Sequence, residues 1–402
     1  MAVSNCIWRW LQARGLRGAQ APDPIFRYMG KGRRKSRVFV WGFAHTGALG
    51  LPHLVLGRGG GQKPRQFQLR PRGVELEQRV RAGGQQEIWM DRRRHCQIGV
   101  TESGISSAAC GYGFTLLASQ THDITKVWGM GLNKDSQIGF HRSRADRTKG
   151  YEFVLEPSPV PLPLERPQET RVIQVSCGRA HSLLLTDNEG VFSMGNNAYG
   201  QCGRSIVDNE TYSGSQIIHR IEDLDDKIVE VTCGQDHSLF RTEKGEIYSC
   251  GWGADGQTGL GHYGVTCKLT RIAGDIAGVN IVQTATYGDF CLAVSKDGDV
   301  FGWGNSEYLQ LSSVTEATQV NIPKYLPFKG VGKIKQAACG GTHAAILNNR
   351  GELFVWGKNL RGCLGIGSMD DQYFPWRVTV PGNVMDVACG VDHMVALTKS
   401  FI

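Results

Sequence analysis

The sequence predicts an all-β fold, a β-propeller of about fifty-residue repeats with six countable blades closed by pairing of the N- and C-terminal strands. Three observations carry this. A motif of strand, Cys-Gly, two variable residues, His, strand, turn, strand and Gly-rich tail recurs along the chain. Its strands alternate apolar and polar residues with period two, as a half-buried strand requires. The two ends of the patterned region carry complementary fragments of one repeat.

The repeats justify themselves in order. Residues 172–203 (VIQVSCGRAHSLLLTDNEGVFSMGNNAYGQCG), 228–259 (IVEVTCGQDHSLFRTEKGEIYSCGWGADGQTG) and 334–365 (IKQAACGGTHAAILNNRGELFVWGKNLRGCLG) are complete copies. An earlier copy begins at Ile105, with Cys110-Gly111 and Trp128-Gly129. A degenerate copy at 281–311 puts Thr286, Tyr287 and Phe290 where the others have Cys, Gly and His. The Cys-Gly positions or their substitute fall at 110, 177, 233, 286, 339 and 389, so the period is near fifty. Several short strands per unit at that period indicate a propeller, not a helical solenoid. The turns TDNEG, TEKG, SKDG and NNRG end in glycine, where a positive φ is expected.

The first patterned segment, RVFVWG at 37–42, reads as a third strand without its first two. The last copy, VMDVACGVDHMVALT at 384–398, stops after two strands. Val38–Trp41 should therefore pair with Val395–Thr398, completing one blade from both ends and removing exposed sheet edges. The propeller accordingly spans 37–402. Between Trp41 and Cys110 lies an excess of chain, including the basic segment 79–104, which fits no strand pattern.

Composition sets limits on function. Glycine supplies 53 of the 402 residues, about twice the usual ~7%. No apolar run approaches the ~18–20 residues of a membrane-spanning helix, which argues against a helical channel or receptor. No C-x-x-C pair suggests structural zinc. Charge is unevenly placed: residues 1–104 hold 19 Lys+Arg and 6 Asp+Glu, whereas the rest hold 26 and 31. Residues 1–36 are Arg-rich and nearly free of acid, with Ile7, Trp10 and Leu11 at helical spacing, as in a mitochondrial targeting segment.

Most chemistry-bearing candidates have a structural reading. Cys110, Cys177, Cys233, Cys339 and Cys389 occupy one repeat position each and read as small buried packing residues. His181, His237, His343 and His393 recur in the same way and read first as packing groups. The segment GWGADGQTGLG at 251–261 lacks the Lys-Ser/Thr of a phosphate loop and coincides with a repeat turn. No G-x-S-x-G elbow or H-E-x-x-H pair is present, so neither covalent catalysis, a metal nor a cofactor is expected. The distinctive residues are the variable pairs between Cys-Gly and His, expected to project together on one face, where binding specificity normally resides.

The Cys-Gly-x-x-His, turn Gly, Trp-Gly and Gly-Gln tails, such as Gly200-Gln201, closely resemble the repeat of the regulator of chromosome condensation family. With its basic head, the chain is most similar to that family's mitochondrial branch. The resemblance implies a propeller, usually of seven blades, and guanine nucleotide exchange without a covalent step. It implies as partner a dynamin-like GTPase of the mitochondrial inner membrane, linked to fusion, with the chain peripheral rather than integral. Carried over by position, the GTPase-binding residues are Asp236, His237, Asp289, His343, Asp392 and His393. It also points to a second role, a scaffold for mitochondrial ribosomal RNA or large-subunit assembly factors. Arg33, Arg34, Lys35, Arg92, Arg93 and Arg94 are the nucleic-acid-binding candidates for that role.

Overall fold

The computed structural model describes residues 36–43, 67–74, 86–91 and 94–98 and, but for a few loop positions, 105–399. Among them are six four-stranded antiparallel sheets, one two-stranded sheet and a single short 3-10 turn at Gly274–Ile276. Each four-stranded sheet is one propeller blade, and in five of the six the strands follow one another in chain order. The blade Val172–Cys177, His181–Thr186, Val191–Gly195, Ile218–Ile221 is representative. Others begin at Ser107, Ile228, Ile281 and Ile334.

Burial explains the sequence pattern strand by strand. First strands are partly buried: in Val172–Cys177 the buried residues are Val172 and Val175, set three apart because the pairing register shifts between Gln174 and Val172. Second strands such as His181–Thr186, Phe290–Ser295 and His343–Asn348 are buried throughout, and for His181–Thr186 the sheets beginning at Ser107 and Ile228 cover both faces. That is why LLL and AAIL read as continuous apolar runs. Fourth strands carry the exposed side chains, including Phe153, Leu155 and Tyr325. The turn glycines adopt the left-handed conformation the sequence called for, with φ of 74° at Gly190 and 82° at Gly245.

One blade is assembled from both ends of the patterned region. Ser36–Phe43 pairs antiparallel with His393–Lys399, matching Val38 to Leu397 and Phe39 to Ala396. Phe67–Val74 flanks it on one side, and Asn383–Cys389 completes the sheet on the other. Trp41 is fully buried there, and its Nε1 donates to the Cys363 carbonyl of the preceding blade at 2.9 Å. Within the basic segment 79–104, where the sequence shows no alternation, Gln86–Asp91 and Arg94–Ile98 pair as a two-stranded hairpin.

The chain divides into two compact units. One (residues 1–79 and 329–402) holds the blade starting at Ile334 and the two-ended blade; the other (80–328) holds the hairpin and the remaining four blades. Within the second unit, the first strands of successive blades are laced together. Gln174 donates from Nε2 to the Val231 carbonyl at 3.0 Å and accepts from its N–H at 3.1 Å. Val175 N–H donates to Ser107 Oγ, and Thr232 and Thr284 share a hydroxyl bond at 2.8 Å. Among the described residues no helix is long and apolar enough to cross a membrane.

Candidate functional site

The Cys-Gly-x-x-His signature has a steric cause. A methyl group placed on Gly178, Gly234, Gly340 or Gly390 would lie closer than 3.0 Å to the ring of His181, His237, His343 or His393 respectively. The glycine exists so that the ring can fold flat over the backbone beneath the loop. Phe114 does the same over Gly111. The rings also fasten one blade to the next. His181 Nε2 meets Ser238 Oγ of the following blade at 3.0 Å, and His237 Nε2 lies 3.2 Å from both Cys291 Sγ and Thr286 Oγ1.

Ser238 Oγ already donates to the Gln201 carbonyl and Thr286 Oγ1 to the Phe290 carbonyl. Nε2 therefore carries the imidazole proton, and Nδ1 is left as an unpartnered buried acceptor in both rings. Burial drives all four histidines toward the neutral form, to about 3 for His181, His237 and His343 and about 4 for His393. His237 and His343 are fully buried, and His393 nearly so. They shape the loops from below.

The repeat cysteines follow the same logic. Cys233, Cys339 and Cys389 are buried, and burial pushes the Cys233 thiol up to about 12. Cys233 and Cys389 stay protonated and unreactive at neutral pH, whereas Cys110 and Cys177, expected to be buried, are only partly so. Among the described residues, no group of three or more His, Cys, Asp or Glu could hold a metal ion.

The variable loops lie side by side within each unit. In the 80–328 unit, Arg179 N–H donates to the Gln235 carbonyl at 2.9 Å, and Gln235 N–H donates to the Gly288 carbonyl at 2.8 Å. The tail of each blade returns to the same end: Asn196, Trp252 and Asn305 donate their N–H to the carbonyls of Ala180, Asp236 and Asp289. These bonds gather a polar surface. Arg179 grips Asp236 from Nε at 3.1 Å and from Nη2 at 2.8 Å. Gln257 Nε2 donates to Asp289 Oδ1 at 2.9 Å, Asn196 Nδ2 to Asp135 Oδ1 at 2.9 Å, and Gln319 Nε2 to Asp255 Oδ1 at 2.7 Å. Tyr199 and Trp252 pack with ring centroids 4.6 Å apart. Carboxylates outnumber cations here, and burial together with Asp255 pushes the Asp289 carboxyl up to about 6.

In the other unit the two loops are joined in the same manner, Gly341 N–H donating to Gly390 and Val391 carbonyls. Arg361 Nη1 binds Asp392 Oδ2 at 2.6 Å, with exposed Leu360 and Val391 beside the pair.

Of the six residues expected to meet a GTPase, Asp236, His237 and Asp289 thus share one loop cluster, and His343, Asp392 and His393 share the other. Sequence reasoning placed Arg179 in a variable loop without giving it a role, and missed Gln257 and Arg361; these three hold the three acids. The signal for Gln257 was present in the recurrent Gly-Gln tail. Arg33, Arg34, Lys35, Arg92 and Arg93 lie outside the described residues, as does the 1–35 head. Arg94 is placed only as the first residue of its strand.

The regulator of chromosome condensation (RCC1) repeat model matches residues 126–185, 188–241, 297–347 and 350–397. A mouse RCC1-like G exchanging factor-like protein is 56% identical over 449 residues, covering 96% of this chain and 92% of its own length. That alignment is longer than the 402-residue chain, so the relative carries residues without counterpart here, amounting to about one repeat or more. The crystal structure of human WBSCR16 is 56% identical and covers 92% of this chain and all of the solved one, with a TM-score of 0.61. Prp20p of Saccharomyces cerevisiae, 20% identical over 92% of each chain with a TM-score of 0.65, shares the fold. Recurrent glycine-seated rings, laced loops and these matches agree, and the chain belongs to the RCC1 repeat family.

Proposed function

We propose that this chain promotes guanine nucleotide exchange on a GTPase through the loop ends of its blades. The observation that carries the reading is the loop cluster at Arg179, Gln235–Asp236 and Gly288–Asp289, locked by inter-blade backbone bonds into one acidic surface. The name of the 56%-identical relative, a G exchanging factor-like protein, supports it. A GTPase orders its switch segments around Mg²⁺ and phosphate. A rigid acidic surface that binds the nucleotide-free conformation better lowers the cost of losing the nucleotide. Exchange then follows from differential affinity, and equal affinity for both states would produce none.

We infer further that the GTPase is dynamin-like and that the chain acts in mitochondria, peripheral at the inner membrane, with a link to fusion. The acid-poor basic head and the resemblance to the mitochondrial branch support that address. The acidic balance after residue 104 disfavours RNA contact by the blades, since phosphate attraction needs basic surface.

The test is release of fluorescent GDP from a panel of purified GTPases, dynamin-like and small. The chain should accelerate release from at least one. The triple variant Asp236→Ala, Asp289→Ala, Asp392→Ala should lose that acceleration while keeping its β-sheet circular dichroism. No acceleration on any member of the panel refutes the reading.

A further inference from the structure

Three carboxylates stand immediately before the buried ring of a blade, and their surroundings differ. Asp236 is gripped at both oxygens by Arg179, and Asp392 is held by Arg361. Among the described residues no arginine or lysine forms an ion pair with half-buried Asp289. Its Oδ1 accepts a hydrogen bond from a neutral amide, Gln257 Nε2.

That amide cannot swing away. Gln257 is fully buried, and its Oε1 accepts the Asp255 N–H at 2.9 Å. Its carbonyl accepts Trp303 Nε1 at 2.9 Å and Cys291 Sγ at 3.4 Å. An internal comparison shows what the amide is for. Gln137, at the equivalent position of an earlier blade, caps the Asp135 N–H in the same way, yet its buried Nε2 has no partner. There the next blade carries Ala180 where Asp289 stands in the later one. Gln201, the equivalent residue of the blade between, turns its Nε2 to Asn196 Oδ1 at 3.4 Å, so among these three blades the amide meets an acid before the next ring only at Asp289.

The charged groups facing Asp289 are Asp255 and Asp236, which disfavour its ionised form, and Arg179, which favours it but is committed to Asp236. A carboxylate crowded by acids and lacking its own cation gains most when a cation is brought to it. We propose that Asp289, held in place by Gln257, is the carboxylate that accepts an arginine or lysine side chain of the partner, while Asp236 and Asp392 are kept by this chain's own arginines to shape the loops. The inference rests on the partner-binding reading above and assigns its contact residue. Asp289 is the contact, and Gln257 is a positioning residue.

The experiment uses the full chain and acetyl-tetra-arginine amide as probe, with affinity read by calorimetry at low salt. The Asp289 carboxyl is followed by ¹³C NMR across pH. Asp289→Asn should weaken probe binding about ten-fold, the scale of one charge-assisted hydrogen bond. Asp297→Asn, in the exposed turn at the far end of the Phe290–Ser295 strand, should change it less than two-fold. Saturating probe should move the wild-type Asp289 titration to lower pH, and Gln257→Ala should move it higher and weaken the probe. Asp289→Asn binding the probe as tightly as wild type overturns the proposal. If that variant does not fold, an Asp289 titration that the probe leaves unmoved in the wild-type chain overturns it equally. Failure of the exchange reading looks different: probe binding and its loss in Asp289→Asn persist, while no GTPase releases GDP.

Discussion

The ring-over-glycine arrangement makes a quantitative prediction at Gly234. A methyl there would meet Cε1, Nδ1 and Nε2 of His237 closer than 3.0 Å, well inside van der Waals contact. The ring has nowhere to go, because His237 is fully buried and its Nε2 is engaged by Cys291 and Thr286 of the next blade. Overpacking of this kind costs about 1–3 kcal/mol, and displacing the ring forfeits a hydrogen bond of about 1 kcal/mol. Gly234→Ala should therefore destabilise by about 2–4 kcal/mol. His237→Ala alone should cost a similar about 2–4 kcal/mol through the cavity it leaves. In the double variant the added methyl finds the vacated space, so it should be no less stable than His237→Ala. The coupling, which then equals the Gly234→Ala loss of about 2–4 kcal/mol, is read from urea unfolding midpoints of the four proteins. Strictly additive losses would show that the glycine is there for some other reason.

Four further outcomes follow from the packing and the charges. His181 is held neutral by burial, down to about 3, whereas an unfolded histidine titrates near 6.5. Below about pH 6.5 the unfolded chain takes up a proton that the folded one refuses, so stability falls as pH drops. His181→Phe, copying Phe114 and Phe290, should lose roughly 2–3 kcal/mol less than wild type between pH 7 and 4 in urea titrations, and an equal loss would count against it. Asp289 works in the opposite direction: its carboxyl is raised to about 6, so its ionisation weakens the fold as pH climbs from about 4 to 6. Asp289→Asn should flatten that slope by roughly 1–3 kcal/mol in the same titrations, and an unchanged slope contradicts it. Trp41→Ala should cost about 3–5 kcal/mol by thermal unfolding, since it removes a fully buried indole and its bond to Cys363. Ala180→Asp should stabilise by about 1 kcal/mol by giving the orphaned Gln137 amide an acceptor, whereas destabilisation of that size would mean the amide is not aimed there.

The blades were legible in the sequence because their strands must bury alternate or continuous apolar faces, and their turns need glycine at positive φ. Pairing of Val38 with Leu397 followed from a simple deficit, one missing strand against two. The loop residues at the site were also readable as variable positions on a fixed scaffold. What the sequence could not show was how their charges are spent. Arg179 and Asp236 are separated by just over one repeat and meet because adjacent loops share backbone bonds. The histidines illustrate the same limit: one repeated letter serves packing and seemed available for contact, and burial separates the two. The hairpin strands Gln86–Asp91 and Arg94–Ile98 escaped notice because their sequences show no period-two apolar alternation.

The sheet built from Ser36–Phe43 and His393–Lys399 has a consequence for synthesis. Its earliest strand emerges from the ribosome long before the strand it needs, and every other blade is translated in between. Throughout that interval the early strand holds an open edge of unsatisfied amides and an apolar Phe39 and Trp41 with no seat. Chaperone demand in this protein should concentrate on that waiting segment, and the final docking should be its slowest folding event, because it joins the most distant strands in the chain.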